Sequence, residues 1–263
     1  MPLLLLFHLF LAPAPGPAAE RNETPVPIFL YHRFGPTVTD SMTVTTPVFA
    51  SHLAYLQDRG YRVIPLRQLV DHHLHKAPAP LPNSVVITMD DGHKTVYSEA
   101  LPLVRRYRFP VTLFIYPSAI AKASYAMTWE QLRELRKSGW FDIQSHTLWH
   151  PNFKQEKKRL SPADYERFVD MQLQKSKATL EEKLATRVDM LAWAFGIYDD
   201  FLMARAAAAG YTAAFTIERR PAQLSDQVMK LPRYLLTNAD RGKAFAGILS
   251  NRSGPAAGGE AKK

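Results

Sequence analysis

The chain predicts an α/β fold built on a largely parallel sheet, and three observations carry that reading. Short apolar, β-branched runs alternate with longer helical patterns from residue 27 to residue 249, the order left by repeated strand–helix units. No linker divides the 263 residues, so one domain is expected. Acidic residues and histidines follow directly after several of the strands, where parallel α/β folds gather their active sites. The alternation itself is compatible with an open sheet or a closed barrel.

Each element has a local reason. Residues 27–31 are an apolar strand. Thr46 and Pro47 offer an N-cap and a proline at the first helical position, for a helix to Arg59. Residues 61–64 read as a strand, 66–75 as a short helix, and 76–83 as a proline-rich loop. Residues 84–89, Ser-Val-Val-Ile-Thr-Met, have the look of a buried strand. A helix over 95–107 and a strand over 111–115 follow. Thr128 and Gln131 form a capping-box pattern opening a helix to Lys137. Residues 141–144 are a strand, and Ser161-Pro162 starts a long polar helix to about Leu184. Residues 188–193 are a strand, and 198–209 a helix stopped by Gly210. Residues 211–217 and 228–234 are strands, and 238–249 the last helix.

Composition narrows the function. The net charge of +9 favours anionic neighbours, so a peripheral association with an anionic envelope is expected. No run of five basic residues and no nucleic-acid motif occurs, and no nucleic-acid partner is expected. The absence of cysteine excludes disulfides, thiolate metal sites and a cysteine nucleophile. Residues 3–12 are a nearly unbroken apolar run, followed by Ala-Pro-Ala-Pro-Gly-Pro-Ala-Ala. That is the layout of a signal peptide cleaved near Ala18 or Ala19, though without the usual basic start. The run falls short of the ~20 residues that span a bilayer, so no transmembrane span is expected. The expected organisation is a signal peptide over 1–19, one domain over 20–250 and a small, polar, disordered tail over 251–263. The expected location is secreted or periplasmic.

The strand ends hold the chemistry. Strand 84–89 runs into Asp90-Asp91-Gly92, strand 141–144 into Ser145-His146 with His150 four residues on, and strand 27–31 into His32. Strand 188–193 leads into Ala194-Phe195-Gly196, and the last strand carries Arg233. Adjacent aspartates diverge, so one can bind a metal while the other faces a substrate; by themselves they also suit a turn. His146 and His150 can address one metal from a single turn of chain. With the Asp pair they make an Asp-His-His site with open positions, the mark of a catalytic metal centre. Such ligands suit zinc first, and also cobalt, nickel or iron. His72, His73 and His75 are closer together but lack carboxylates and a strand end, and read as a solvated helix face. No Gly-x-Ser-x-Gly elbow, phosphate loop or His-Glu-x-x-His motif is present.

Thr88-Met89-Asp90-Asp91-Gly92 and Ser145-His146-Thr147-Leu148-Trp149-His150-Pro151 resemble the two signature motifs of the polysaccharide deacetylases, carbohydrate esterase family 4 or NodB-homology domains. The likeness is greatest to the circularly permuted branch acting on poly-N-acetylglucosamine. It implies a single distorted (β/α) barrel and a hydrolase that removes N-acetyl groups from an extracellular or envelope polysaccharide. It further implies Asp90 as general base, Asp91, His146 and His150 as ligands of a divalent metal, and His32 as the acid. Arg233 would steady the base in place of an arginine that the segment 192–196, Ala-Trp-Ala-Phe-Gly, lacks. Trp149, Trp193 and Phe195 would offer apolar walls for a sugar ring or the acetyl methyl, or simply fill the core. Rival readings are a de-O-acetylase of xylan or another glycan ester, and a non-catalytic carbohydrate-binding envelope protein.

Overall fold

Ile28–Tyr31 form β1, four buried apolar residues in a curled sheet. The computed structural model describes residues 25–250; the expected leader and tail lie outside the described residues. After β1 come β2 (Arg33–Gly35), β3 (Thr43–Thr45), α1 (Thr46–Asp58), β4 (Arg62–Val63), α2 (Leu66–His73) and β5 (Ser84–Asp90). Then follow α3 (Leu101–Tyr107), β6 (Val111–Ile115), α4 (Trp129–Lys137), β7 (Phe141–Ser145), α5 (Phe153–Arg159) and α6 (Pro162–Leu184). The chain ends with β8 (Met190–Ala192), α7 (Asp200–Ala208), β9 (Ala213–Phe215), β10 (Tyr234–Leu235) and α8 (Lys243–Ser250).

The sheet runs β10-β1-β5-β6-β7-β8-β9 and every pairing is parallel, with β4 added at the start of β5. Its two ends nearly meet. Leu231 pairs with Phe215 of β9, and three residues later Tyr234 pairs with Phe29 of β1. One extended segment therefore bridges both edges and closes a distorted barrel. The same segment explains why the strand expected over 228–234 is broken. Pro232 has no N–H to give a ladder, and the chain changes neighbours there, after a 3₁₀ turn at Val228–Lys230.

Strand alternation then sorts the side chains. Phe29, Val85, Ile87, Leu113, Ile143 and Leu191 face outward and pack with residues from the helices. Ile28, Val86, Phe114, Met190, Phe215 and Leu231 face inward as a second cluster. Carrying the inward parity to the strand ends puts His32, Asp90 and His146 on one rim.

Several expectations change at the helices. The helix expected over 95–107 opens as a wide π turn, Val96–Ala100, before α3, because Pro102 cannot donate to the turn before it. α1 begins at Thr46 itself; Thr45 is the cap residue and its hydroxyl donates to Asn238 Oδ1. Asn238 is thus used outside a helix, and α8 starts only at Lys243. α5 was not expected; Asn152 caps it by accepting from the Gln155 N–H at 3.1 Å. The capping box at Thr128 forms as read, with both reciprocal bonds. His72 is buried rather than on a solvated face, with Nδ1 3.3 Å from the Ala77 carbonyl oxygen.

One buried histidine makes the fold acid-sensitive. His52 of α1 stacks on Phe245 at 4.0 Å and lies 3.0 Å from the Tyr31 hydroxyl and 2.6 Å from the Asp240 carbonyl oxygen. Burial pushes its pKa down to about 4 from 6.5. The folded form therefore refuses a proton that the unfolded chain accepts. The stability tied to neutral His52 is present above pH 6.5 and is lost as pH falls to about 4. The size is on the order of 3 kcal/mol. Urea midpoints measured across that window should fall less steeply for His52→Gln than for the parent; parallel slopes would remove His52 from the account.

Candidate metal and active site

The rim holds a cavity of about 350 Å³ bordered by His32, Asp90, Asp91, His146 and His150, a size suited to a small-ligand pocket. Asp90 is the last residue of β5 and is buried. Arg233 meets it in a fork, Nη1–H and Nη2–H each donating to one carboxylate oxygen at 2.8 Å. The guanidinium is itself fully buried, and its remaining donors reach the Thr216 carbonyl oxygen at 3.0 Å and Thr88 Oγ1 at 3.3 Å. Burial, the largest single effect, would raise the Asp90 pKa, but the Arg233 charge and hydrogen bonds together with the charges of His146 and His32 outweigh it and hold the carboxyl below its usual range.

Asp91 turns the other way, at φ +72°. Burial pushes its pKa up, with the His32 charge opposing and Asp90 adding to the rise. Gly92 must follow it: at φ +77° an added Cβ would lie 2.7 Å from Ile115 Cδ1.

His146 is buried at the end of β7 and donates Nδ1–H to the Ala192 carbonyl oxygen at 2.8 Å. That bond fixes the tautomer and leaves the Nε2 lone pair for a ligand role. Nε2 lies 3.6 Å from both Asp90 and Asp91. Burial pushes the His146 pKa down to about 3 and lowers that of His150, against the pull of Asp90 in both cases. Both rings are therefore neutral at physiological pH, the form that binds metal. Ligand atoms of Asp91, His146 and His150 lie within 4.8 Å of one another, the one such group among the described residues. One carboxylate and two oriented imidazoles fit a divalent cation of the zinc type.

The backbone around this set is strained. Asp91, Thr147, His150 and Phe195 all have positive φ, between +55° and +72°. For residues other than glycine such shapes persist only where the surroundings over-determine them.

The structure brings together Asp90, Asp91, His146, His150, His32 and Arg233, delivered by four separate stretches of chain. His32 follows β1; its Nδ1 is buried without a hydrogen-bond partner, and burial lowers its pKa against the pull of Asp91 and Asp90. The aromatic expectations divide. Phe195 borders the cavity, 55% exposed, with its ring 4.4 Å from that of His150. Trp193 also borders it but is fully buried, donating Nε1–H to the Met229 carbonyl oxygen at 3.0 Å. Trp149 is half-exposed against Phe168 and is not among the residues bordering the cavity. Among the bordering residues outside the sequence-based set, two carry polar side chains. Tyr116 stands just past β6, its hydroxyl 2.6 Å from that of Tyr125. Arg33 pairs with Asp40 at 2.8 Å. The strand-end rule would have found both had it been applied at β6 and one residue beyond His32.

Comparison with known proteins shows the family and the fold. The sequence profile of the polysaccharide deacetylase family matches residues 78–214, just over half of the chain. A poly-beta-1,6-N-acetyl-D-glucosamine N-deacetylase of Staphylococcus aureus (strain MRSA252) is 23% identical over 215 residues, 80% of this chain and 73% of that protein. The protein of the same name from Escherichia coli (strain K12) is 23% identical over 240 residues, 78% of this chain but 35% of its own length. Among solved structures, Streptococcus pyogenes deacetylase PplD in complex with acetate superposes with a TM-score of 0.77 at 20% identity, over 87% of this chain and 99% of that one.

Proposed function

The chain belongs to the polysaccharide deacetylase family, and from that premise we propose that it is a metal-dependent N-deacetylase of a poly-β-1,6-N-acetylglucosamine type of polymer. The observation that carries the reading is the pairing of an Asp-His-His donor set with an ionised carboxylate in one cavity. The carboxylate is Asp90, held by a buried arginine. The polymer is taken from the names of the bacterial relatives.

Asp91, His146 and His150 would hold a divalent cation, which when bound polarises the acetyl carbonyl and acidifies water. The chain's own groups move the protons. Asp90 accepts a proton from the attacking water as its oxygen bonds to the acetyl carbon. Arg233 keeps Asp90 ionised and aimed, since both its oxygens are fixed by the guanidinium fork. The C–N bond then breaks, its electron pair passes to nitrogen, and the protonated form of His32, which burial disfavours but the neighbouring Asp91 and Asp90 charges favour, gives its proton to the departing sugar amine. Acetate is released. Phe195 offers an apolar face beside His150 for the acetyl methyl or a sugar ring.

Acetate release from poly-β-1,6-N-acetylglucosamine oligomers tests the proposal. Release should stop with a chelator and return with zinc, cobalt or another divalent ion. Preference for acetylated xylan would make the protein an ester hydrolase, and binding without release would make it a non-catalytic carbohydrate-binding protein. A further test concerns His32. His32→Ala should keep its metal and lose on the order of 10²–10⁴ in rate on the amide substrate. The loss should shrink on an activated aryl acetate, whose leaving group needs no proton. An equal loss on both substrates would assign His32 to binding or structure.

The leader pattern supports a secreted or periplasmic location. The mature protein should begin near Ala19 or Glu20 by N-terminal sequencing, and an intact Met1 on the mature protein would overturn that placement.

A further inference from the structure

The loop that carries both histidines is held in an unfavourable shape, with Thr147 at φ +65° and His150 at φ +61°. α6 runs behind it. The buried stripe of α6 is apolar at Val169, Leu173, Leu180 and Leu184 but is interrupted, one turn apart, by Gln172 and Ser176. Both polar residues are fully buried. Gln172 Oε1 accepts from the Leu148 N–H at 3.2 Å and the Trp149 N–H at 3.1 Å. Both partners are donors, so the amide oxygen is necessarily the atom that faces them. Among the described residues the amide nitrogen finds only Met171 Sδ, at 3.8 Å, a weak acceptor. Ser176 Oγ lies 2.8 Å from Ser145 Oγ, which accepts from the Thr147 N–H at 3.3 Å. Thr147 Oγ1 in turn accepts from the His150 N–H at 3.1 Å.

Packing alone does not explain Gln172. A leucine or methionine would fill the stripe without burying an amide whose donor end is poorly met. What the glutamine adds is a two-pronged acceptor for consecutive N–H groups in the middle of the loop, between one histidine and the other. We infer that Gln172 is a positioning residue for the metal centre: from α6 it fixes the 146–150 loop so that His150 is already set beside His146 and Asp91 before a cation arrives. The inference rests on the metal-centre reading above. Gln172 touches none of the three ligand side chains directly and acts on metal affinity through the backbone.

The test is metal affinity, read by competition with a chromophoric chelator. The parent is titrated first; a parent that binds no divalent ion would overturn the metal centre itself, a failure separate from that of the present inference. Gln172→Met keeps the length of the side chain and removes the acceptor. It should bind zinc roughly ten- to a hundredfold more weakly, the span for a lost supporting partner of a metal ligand. The visible spectrum of its cobalt-loaded form should shift as well. Gln172→Glu retains an acceptor for both N–H groups and should recover most of the affinity. If Gln172→Met lowers only the melting temperature and leaves zinc affinity and the cobalt spectrum as in the parent, Gln172 is a packing residue and the inference is overturned. Should that variant not fold, hydrogen exchange on the metal-free parent decides. The Leu148 and Trp149 amides should exchange slowly; exchange at open-loop rates overturns the inference equally.

Discussion

Asp91→Ala, His146→Ala and His150→Ala should each strip the cation from the protein and reduce acetate release on the order of 10³-fold or more. The magnitude follows from the several kcal/mol of transition-state stabilisation a Lewis acid supplies. Three candidate ligands have donor atoms within 4.8 Å of one another, and under the proposed function removing any one would leave a pair too few to hold the ion in competition with water. The three variants should differ in stability. His146 is buried and bonded to the Ala192 carbonyl oxygen, so its loss leaves both a cavity and an unmet acceptor. Asp91 is the reverse case. Burial raises its pKa, which means that the ionised form is disfavoured in the metal-free fold. Metal-free Asp91→Ala should therefore melt higher than the metal-free parent at neutral pH, while being inactive. A site maintained at the expense of stability is the usual sign of function. Full metal occupancy in all three variants by elemental analysis would show that the ligands were wrongly assigned.

Asp90→Asn should separate proton transfer from metal binding. It removes a proton acceptor and leaves Asp91, His146 and His150 intact, so metal should stay at parental occupancy while turnover falls on the order of 10²–10⁴-fold. The variant should also be less stable. Arg233 is fully buried and gives two N–H bonds to the carboxylate; an asparagine can accept only one and presents its own N–H₂ to the other. Breaking a buried pair costs about 3–5 kcal/mol, or a fall in melting temperature of roughly 6–20 °C for a domain of this size, so activity must be compared well below the new transition. The pH profile gives an independent check. Arg233 holds Asp90 below its usual range, so the parent should keep its activity well into acid before Asp90 protonates. Arg233→Lys, with a weaker and single-pronged grip, should move that acid limb to higher pH. Near-parental turnover in Asp90→Asn would remove Asp90 as the base.

Most of the candidate site was legible because strand ends are legible. An apolar, β-branched run such as 84–89 marks a buried parallel strand, and whatever follows it stands on the rim; Asp90, Asp91, His146, His150 and His32 were all found that way. Caps were legible for the same local reason, as at Thr128 and Ser161, where the side chain meets a backbone N–H three residues on. What stayed illegible depends on partners distant in sequence. The segment 228–234 reads as an ordinary strand until the chain is seen to leave β9 for β1 at Pro232. That passage is what brings Arg233 across 143 residues to Asp90. Gln172 looked like one polar residue in a polar helix; only the packing of α6 against the loop shows that it faces inward and meets Leu148 and Trp149. Trp149 and Trp193 were indistinguishable as aromatic walls, and burial alone puts one against Phe168 and the other into the core. Alternation and apolar runs act within a few residues, so they already mark which chemical groups stand at the strand ends. Which of those groups meet, and in what charge state, follows from ion pairing and desolvation, and these depend on neighbours that the chain supplies only after the sheet has curled.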